Sequence, residues 1–228
     1  MTDTRAARVP GEGLLPARGP HYVLGDTGPR IGVLALQGDV LEHLRTLSAI
    51  GTRAVPIKRP EQLDDVDGLL IPGGESTTIG KLAVLYGLLD PLRKRIADGL
   101  PVLGTCAGAI LLASQALSAE GDPSDQPLLE SMDTVVRRNA FGRQVASFET
   151  DVQVAGLEGG PMHAVFIRAP WIESWGEQVQ ILASAPTPLG DKVVVARQGN
   201  VLASAFHPEL TEDNRLHRLL VDMVNKER

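Results

Sequence analysis

One stretch constrains the fold more than any other: Pro101-Val102-Leu103-Gly104-Thr105-Cys106-Ala107-Gly108, where an apolar run stops at the chain's only cysteine and a helix-forming run, Ala109 to Leu117, begins. A strand that delivers into a helix through so short a link predicts a sharp strand-to-helix turn, a nucleophile elbow, which lifts one side chain out of a sheet. Gly104 and Gly108 suit such a bend, since a side chain at either place collides with neighbouring backbone. The thiol then sits at a helix N-terminus, where free N–H groups and the helix dipole favour a thiolate. Alone, a cysteine among apolar residues is a small buried hydrophobe. A second feature changes its meaning: Ala205-Phe206-His207-Pro208-Glu209 ends another apolar run with a base and a carboxylate two positions apart. Cys106, His207 and Glu209 together read as a thiol nucleophile, its general base and the group that orients the base.

From Arg30 onward, short β-rich apolar runs alternate with amphipathic stretches, which predicts an α/β fold: an open, mostly parallel or mixed sheet flanked by helices. Strands are expected over Ile31–Leu36, Arg53–Ile57, Gly68–Ile71 and Val102–Leu103. Further short strands are expected over Thr134–Arg137, Val152–Val154, Ala164–Ile167, Gln180–Ala183, Lys192–Ala196 and Val201–Phe206. Helices are expected over Asp39–Ile50, Ser76–Gly87, Leu88–Ala97 and Arg215–Val224. In the first, Val40, Leu41, Leu44 and Leu47 make an apolar stripe; the last has Thr211 as its expected N-cap. Residues Glu120 to Leu128 read as a surface loop.

Length and charge narrow the options. A chain of 228 residues with a formal charge of −6 has room for one large core and carries no basic run, which argues against nucleic acid as a partner. No apolar run approaches the ~20 residues a membrane span requires. Residues 1–30 hold five Gly, four Pro and four Arg with no apolar segment resembling a signal peptide, so they are read as a flexible extension ahead of a single domain over 31–228. One cysteine forms no internal disulfide, and a lone reactive thiol suits a reducing cytoplasm.

In open α/β sheets, ligands bind beyond the carboxyl ends of strands. Gln37-Gly38, Gly73-Gly74-Glu75-Ser76, Cys106 and His207-Pro208-Glu209 all fall at such ends. His207 and Glu209, two apart on an extended segment, are expected to point the same way. The predicted chemistry is acyl transfer through a thioester. Attack by sulfur creates an oxyanion that needs preorganised donors. The Ala107 N–H is the first candidate, and a backbone N–H of Gly73-Gly74 is the second. No metal and no cofactor is required.

Several segments occur in one order: Leu36-Gln37-Gly38, Pro72-Gly73-Gly74-Glu75-Ser76-Thr77-Thr78, Gly104-Thr105-Cys106-Ala107-Gly108, Arg138-Asn139 with Phe141-Gly142-Arg143-Gln144, Phe166-Ile167-Arg168-Ala169-Pro170 and Phe206-His207-Pro208-Glu209-Leu210-Thr211. This set resembles the glutaminase subunits of pyridoxal 5′-phosphate synthases, a branch of the class I (triad) glutamine amidotransferases, over about Ile31 to Val224. The resemblance implies hydrolysis of L-glutamine to glutamate and ammonia, with the ammonia passed to a separate barrel-fold synthase that builds the vitamin B6 coenzyme. It implies Cys106 as nucleophile, with His207 and Glu209 completing the triad. It also implies an oxyanion hole from Gly74 and Ala107, and a glutamine site lined by Gly74, Glu75, Ser76, Arg138, Ile167 and Arg168. Arginines suit a substrate carboxylate, which a guanidinium grips at two points. Arg137 adjoins Arg138, and the sequence alone leaves open which of them faces the site. Such glutaminases are sluggish until the synthase docks; a flip of the Gly-Gly peptide accounts for this, with Gln37 as the coupling residue. The extension, the enlarged loop at Glu120 to Leu128, and Trp171 and Trp175 lie outside the resemblance; the tryptophans read as packing.

Three other classes compete. Cysteine-elbow hydrolases and chaperones of similar fold carry a histidine directly after the cysteine, where this chain has Ala107. A class I glutaminase serving another pathway shares the elbow and the His-Pro-Glu segment but not the subfamily segments. A non-catalytic binding subunit of the same fold predicts loss of a triad residue, and all three are present.

Overall fold

The computed structural model describes residues 28–140, 147–187 and 190–227. The expected extension lies outside the described residues but for its last three positions, as does the whole Phe141-Gly142-Arg143-Gln144 segment.

The first half of the chain alternates strands and helices: β1 (Arg30–Leu34), α1 (Val40–Ala49), β2 (Arg53–Ile57), β3 (Gly68–Ile71), α2 (Ser76–Leu85), α3 (Leu89–Ala97), β4 (Val102–Thr105) and α4 (Ala107–Leu112). The second half is richer in strands: β5 (Ala113–Leu117), β6 (Met132–Arg137), β7 (Ser147–Val152), β8 (Met162–Ile167), β9 (Trp171–Trp175), β10 (Gln180–Ala185), β11 (Lys192–Gln198) and β12 (Val201–Ser204), closing with α5 (Arg215–Glu227). Ten strands form one mixed sheet in the order β2-β1-β3-β4-β12-β11-β9-β6-β5, with β10 paired to β11. Neighbours from β2 to β12 run parallel. Beyond β12 the pairing is antiparallel until β5 and β6, which are parallel again. Strands β7 and β8 form a separate antiparallel ribbon.

Strand alternation splits the core into two layers. Leu69 and Ile71 of β3, Val102 of β4, and Val201 and Ala203 of β12 face the layer under α2, α3 and α4. Ile31 and Val33 of β1, Leu70, Leu103 and Leu202 face the opposite layer, which packs α1, α5 and the β7–β8 ribbon. Both faces of the parallel half are therefore covered, and its strands read as continuous apolar runs rather than alternating ones.

Local expectations fail where tertiary pairing overrides propensity. The run expected to be helical from Ala109 to Leu117 leaves the helix after Leu112, and Ala113 is already extended at ψ 155°. Residues 113–117 pair instead with β6, and the Ser114 hydroxyl donates to the Thr134 carbonyl at 2.9 Å. Strand β9 was not expected; its exposed Glu173, Ser174 and Trp175 give no alternating signal. The ribbon strand expected at Val152–Val154 lies earlier, over Ser147–Val152. Thr211 is not the N-cap of α5: its hydroxyl accepts the Asp213 N–H, and the Asp213 carboxylate accepts the Arg215 N–H at 3.1 Å. The stripe on α1 is rotated, with Leu41 41% exposed and His43 fully buried beside Leu44 and Leu47.

Close approach at the β4–α4 turn rests on glycine. A Cβ on Gly108 would lie 2.1 Å from the Ile71 carbonyl oxygen of β3, and one on Gly104 would lie 2.6 Å from the Gly108 carbonyl. Gly→Ala inside a helix ordinarily stabilises by roughly 0.5–1 kcal/mol. Here the sign inverts: Gly108→Ala is expected to cost about 3 kcal/mol or more through overpacking against strand backbone that cannot yield, read as a lower urea midpoint at unchanged slope.

Candidate active site

Cys106 is the hinge between β4 and α4 and adopts φ 47°, ψ −102°, a conformation costing on the order of 1–3 kcal/mol for a residue with a side chain. Its N–H donates to the Ser204 carbonyl of β12 at 2.8 Å, which fixes the bend against the neighbouring strand. The next N–H, of Ala107, opens α4 and has no intrahelical acceptor. Asn139 at φ 45° and Arg168 at φ 44° are likewise left-handed, so three of the four positive-φ non-glycine residues described line one cavity with Cys106 among them.

That cavity, of about 340 Å³, lies at the carboxyl edge of the parallel strands. Gln37, Gly74, Glu75, Ser76, Cys106, Arg138, Ile167, Arg168 and His207, all predicted from sequence, line it. Asp39, Ile110, Asn139 and Leu210 line it without having been predicted. Glu209 stands behind His207 rather than on the cavity wall.

His207 follows β12, and its N–H donates to the Val165 carbonyl of β8 at 2.9 Å. Its Nδ1 lies 2.7 Å from Glu209 Oε1 and 3.4 Å from Asp39 Oδ2. The side chains converge for a different reason from the one expected. Residues 208–210 form a 3-10 turn, not an extended segment, and the turn folds Glu209 back under the ring. Burial pulls the imidazole's pKa down, but hydrogen bonds to Asp39, Cys106 and Glu209 outweigh it and push it up to about 12. Burial pushes the Glu209 carboxyl up, opposed by the same bond to His207. The group able to hold a proton is thus the ring between a thiol and two carboxylates. Among the described residues, Asp39, His207 and Glu209 are the one set offering three cation ligands, within 4.8 Å of one another, and the His207–Glu209 contact already occupies two of them.

The Gly73–Gly74 bend is held from the loop after β1. Asp39 N–H donates to the Gly73 carbonyl at 3.1 Å, and Gln37 Oε1 accepts the Glu75 N–H at 2.7 Å. Both glycines are required sterically: a Cβ at Gly73 would lie 2.5 Å from His207 Cε1, and Gly74 has φ 152° with Gln37 Oε1 2.5 Å from its Cβ position.

Glu75 is the N-cap of α2, accepting the Thr77 and Thr78 N–H groups. Burial raises its pKa, and hydrogen bonds from Thr78 and Thr77 more than reverse this. Arg138 Nη2 reaches the same carboxylate at 3.0 Å, whereas Arg137 turns away to Glu173 at 2.9 Å, so Arg138 is the arginine at the site. The Arg168 guanidinium has no protein partner among the described residues. Ser76 is buried and donates to Gln126 Oε1 at 3.0 Å, so the segment Glu120 to Leu128, read as a surface loop, sends Gln126 inward beneath the site and Leu128 into the core. Trp171 is buried, donates to Glu173 and carries Lys192 Nζ 4.6 Å above its ring, packing as expected, whereas Trp175, also expected to pack, is 46% exposed.

A thiol on a strained hinge, an imidazole braced by carboxylates and, across a small cavity, a guanidinium without a partner among the described residues describe a class of cysteine-dependent acyl-transfer sites. The chain belongs to the SNO glutamine amidotransferase family, whose profile matches residues 33–226. It is 58% identical over 198 residues to the pyridoxal 5′-phosphate synthase subunit PdxT of Frankia alni, covering 87% of this chain and 96% of the relative. The protein of the same name from Streptomyces coelicolor is 56% identical over 206 residues, covering 90% and 98%. A solved structure described as a glutamine amidotransferase superposes with a TM-score of 0.78 at 52% identity, over 86% of this chain and 98% of that one. Among the described residues, no helix is long and apolar enough to cross a membrane.

Proposed function

We propose that this chain hydrolyses L-glutamine to glutamate and ammonia and supplies the ammonia to a barrel-fold synthase making pyridoxal 5′-phosphate, in the cytoplasm, with residues 31–228 acting as one glutaminase domain. The observation that carries the reading is the convergence on one cavity, sized for one free amino acid, of Cys106, His207 and Arg168, whose guanidinium has no partner among the described residues. Family membership and the names of the relatives support it.

The steps follow from the geometry. His207 takes the thiol proton as Cys106 sulfur attacks the side-chain amide carbon, forming the C–S bond while the carbonyl π electrons move to oxygen, and the oxyanion is taken by the Ala107 N–H and a backbone N–H at Gly74. His207 gives its proton to the departing nitrogen; the C–N bond breaks and ammonia leaves a thioester. His207 then takes a proton from water, whose oxygen attacks the thioester, and glutamate departs as the thiol is restored. Glu209 holds the imidazolium in each step. Arg168 takes the substrate α-carboxylate, with Arg138, Glu75, Ser76 and Ile167 shaping the rest of the subsite.

The Gly73 carbonyl is tied to the Asp39 N–H, so rotating the Gly73–Gly74 peptide breaks that bond while leaving the Gln37–Glu75 contact in place. A docked synthase is the natural source of the energy for this, and Gln37 is the residue that couples the two. Glutamate release is expected to be slow for the chain alone and to accelerate on adding the barrel synthase. A rate indifferent to that partner counts against the pathway; no release in either case counts against glutamine as substrate.

A further inference from the structure

Behind the cavity, on the side away from substrate, the structure buries a second set of polar groups for which the mechanism above has no use. His43 of α1 is fully buried, with Nδ1 2.9 Å from His217 Nε2 of α5 and Nε2 3.1 Å from Thr105 Oγ1, the hydroxyl one residue before Cys106. The same Nε2 stands 3.4 Å from Glu209 Oε2, and both side chains are sealed from solvent. Glu209 Oε2 and His217 Nδ1 are buried without any conventional hydrogen-bond partner among the described residues. Buried polar atoms normally find partners, so two orphans in one chain of contacts call for an explanation.

Counting protons supplies it. Burial, reinforced by His217 and His207, keeps the His43 pKa well below its ordinary value, and burial brings His217 down to about 4, so both rings are neutral and each carries one N–H. In one arrangement His43 holds its proton on Nδ1 and donates to His217. His217 must then bury an N–H with no acceptor, while a bare His43 nitrogen faces a carboxylate oxygen. In the other, His217 Nε2–H donates to His43 Nδ1, and His43 Nε2–H points between Thr105 Oγ1 and Glu209 Oε2. Left over then are a lone pair on His217 Nδ1 and the Thr105 hydroxyl proton, which can rotate about its C–O bond, whereas a ring N–H cannot. An orphaned buried N–H and a lone pair against a carboxylate are the costlier faults.

We infer that His43 is a positioning residue for the reaction: its Nε2–H, set by His217, holds the outer oxygen of Glu209 and ties that carboxylate to the strand end that carries Cys106. The inference rests on the glutaminase reading above. Glu209 uses Oε1 on His207, and among the described residues His43 Nε2 is the side-chain nitrogen that faces Oε2, so His43 bears on both where the carboxylate points and how readily it stays ionised. At 3.4 Å the contact is longer than a hydrogen bond, and for this role it must shorten when substrate completes the site.

The test is steady-state glutamate release by the full chain with the barrel synthase, over a range of pH, for wild type, His43→Leu, His43→Asn and His43→Gln. Gln carries an N–H near the position of Nε2; Asn carries one near Nδ1 only. Losing one hydrogen bond to a charged group is expected to lower kcat about ten- to a hundredfold in His43→Leu and His43→Asn, with KM for glutamine little changed. His43→Gln is expected to recover most of that loss. Glu209 is faced by His207 and Asp39 towards the cavity and by His43, with His217 behind it, on the buried side. Without the His43 donor the buried carboxylate takes up its proton at higher pH, so the acid limb of kcat should move upward in His43→Leu and His43→Asn but not in His43→Gln. Should His43→Leu fail to fold, the contrast between Asn and Gln decides the matter alone. Equal impairment of Asn and Gln, or wild-type kcat and acid limb in a folded Leu or Asn variant, overturns the assignment while leaving the glutaminase reading intact. Absence of glutamate release from wild type removes the reading and the assignment with it.

Discussion

Cys106→Ala is expected to abolish glutamine hydrolysis, with kcat falling on the order of 10⁵- to 10⁶-fold, the scale seen when a covalent nucleophile is removed from a preorganised site. The fold should be indifferent. Alanine keeps the Cβ and loses one sulfur from a residue already 7% exposed, and the strain at φ 47° belongs to the backbone, which the substitution leaves unchanged. The N–H of residue 106 still donates to Ser204, so the β4–α4 bend persists. The variant therefore separates chemistry from assembly. It should bind the barrel synthase like wild type while releasing no glutamate above background. Release at a substantial fraction of the wild-type rate would mean that water is activated directly by His207, and the thioester route would have to be given up.

What the sequence disclosed about this site follows the local character of each signal. The β4–α4 hinge was legible because two glycines four apart bracket a cysteine where an apolar run meets a helical one, and those glycines are now seen to pack against Ile71 and against each other. The parallel half of the sheet was legible for the same reason: each strand is a short continuous apolar run bounded by turn residues. Strands β5 and β9 were not legible, since their partners are β6 and β11 and nothing in their own residues marks them. Asp39 was hidden because it reads as an ordinary helix start. His43 and His217 were hidden in another way. Each sits on the apolar stripe of an amphipathic helix, beside Leu44 and Leu47 in one case and Leu216 and Leu220 in the other. A polar residue on a stripe that must be buried was the available signal, because burial obliges it to find a partner. Two such residues in one chain can satisfy each other, and they do so directly behind Glu209.

The second large effect concerns Glu209 itself. Glu209→Gln keeps the shape and removes the charge, and kcat is expected to fall by about 10³- to 10⁴-fold with KM for glutamine nearly unchanged, in line with amide replacement of a triad carboxylate elsewhere. The cause is twofold. A glutamine that turns its oxygen to His207 Nδ1 must turn its NH₂ toward His43, whose own N–H points there, and the opposite rotamer sets an N–H against the His207 donor. In either case the imidazolium that forms as Cys106 is deprotonated loses its buried counter-charge. His207 owes its raised pKa, against burial, to Asp39, Cys106 and Glu209 together. Removing one carboxylate lowers that pKa, so less of the imidazolium needed to protonate the departing nitrogen survives at high pH, and the alkaline limb of kcat should move downward. Asp39 lies 3.4 Å from the same nitrogen and is 39% exposed, so its screened charge should preserve part of the rate. The double variant Glu209→Gln, Asp39→Asn should then be slower than Glu209→Gln alone, whereas Asp39→Asn in the wild-type background should cost far less. If Glu209→Gln retains wild-type kcat and pH profile while Asp39→Asn does not, the orienting carboxylate is Asp39, and Glu209 serves only to fill the turn beneath the ring.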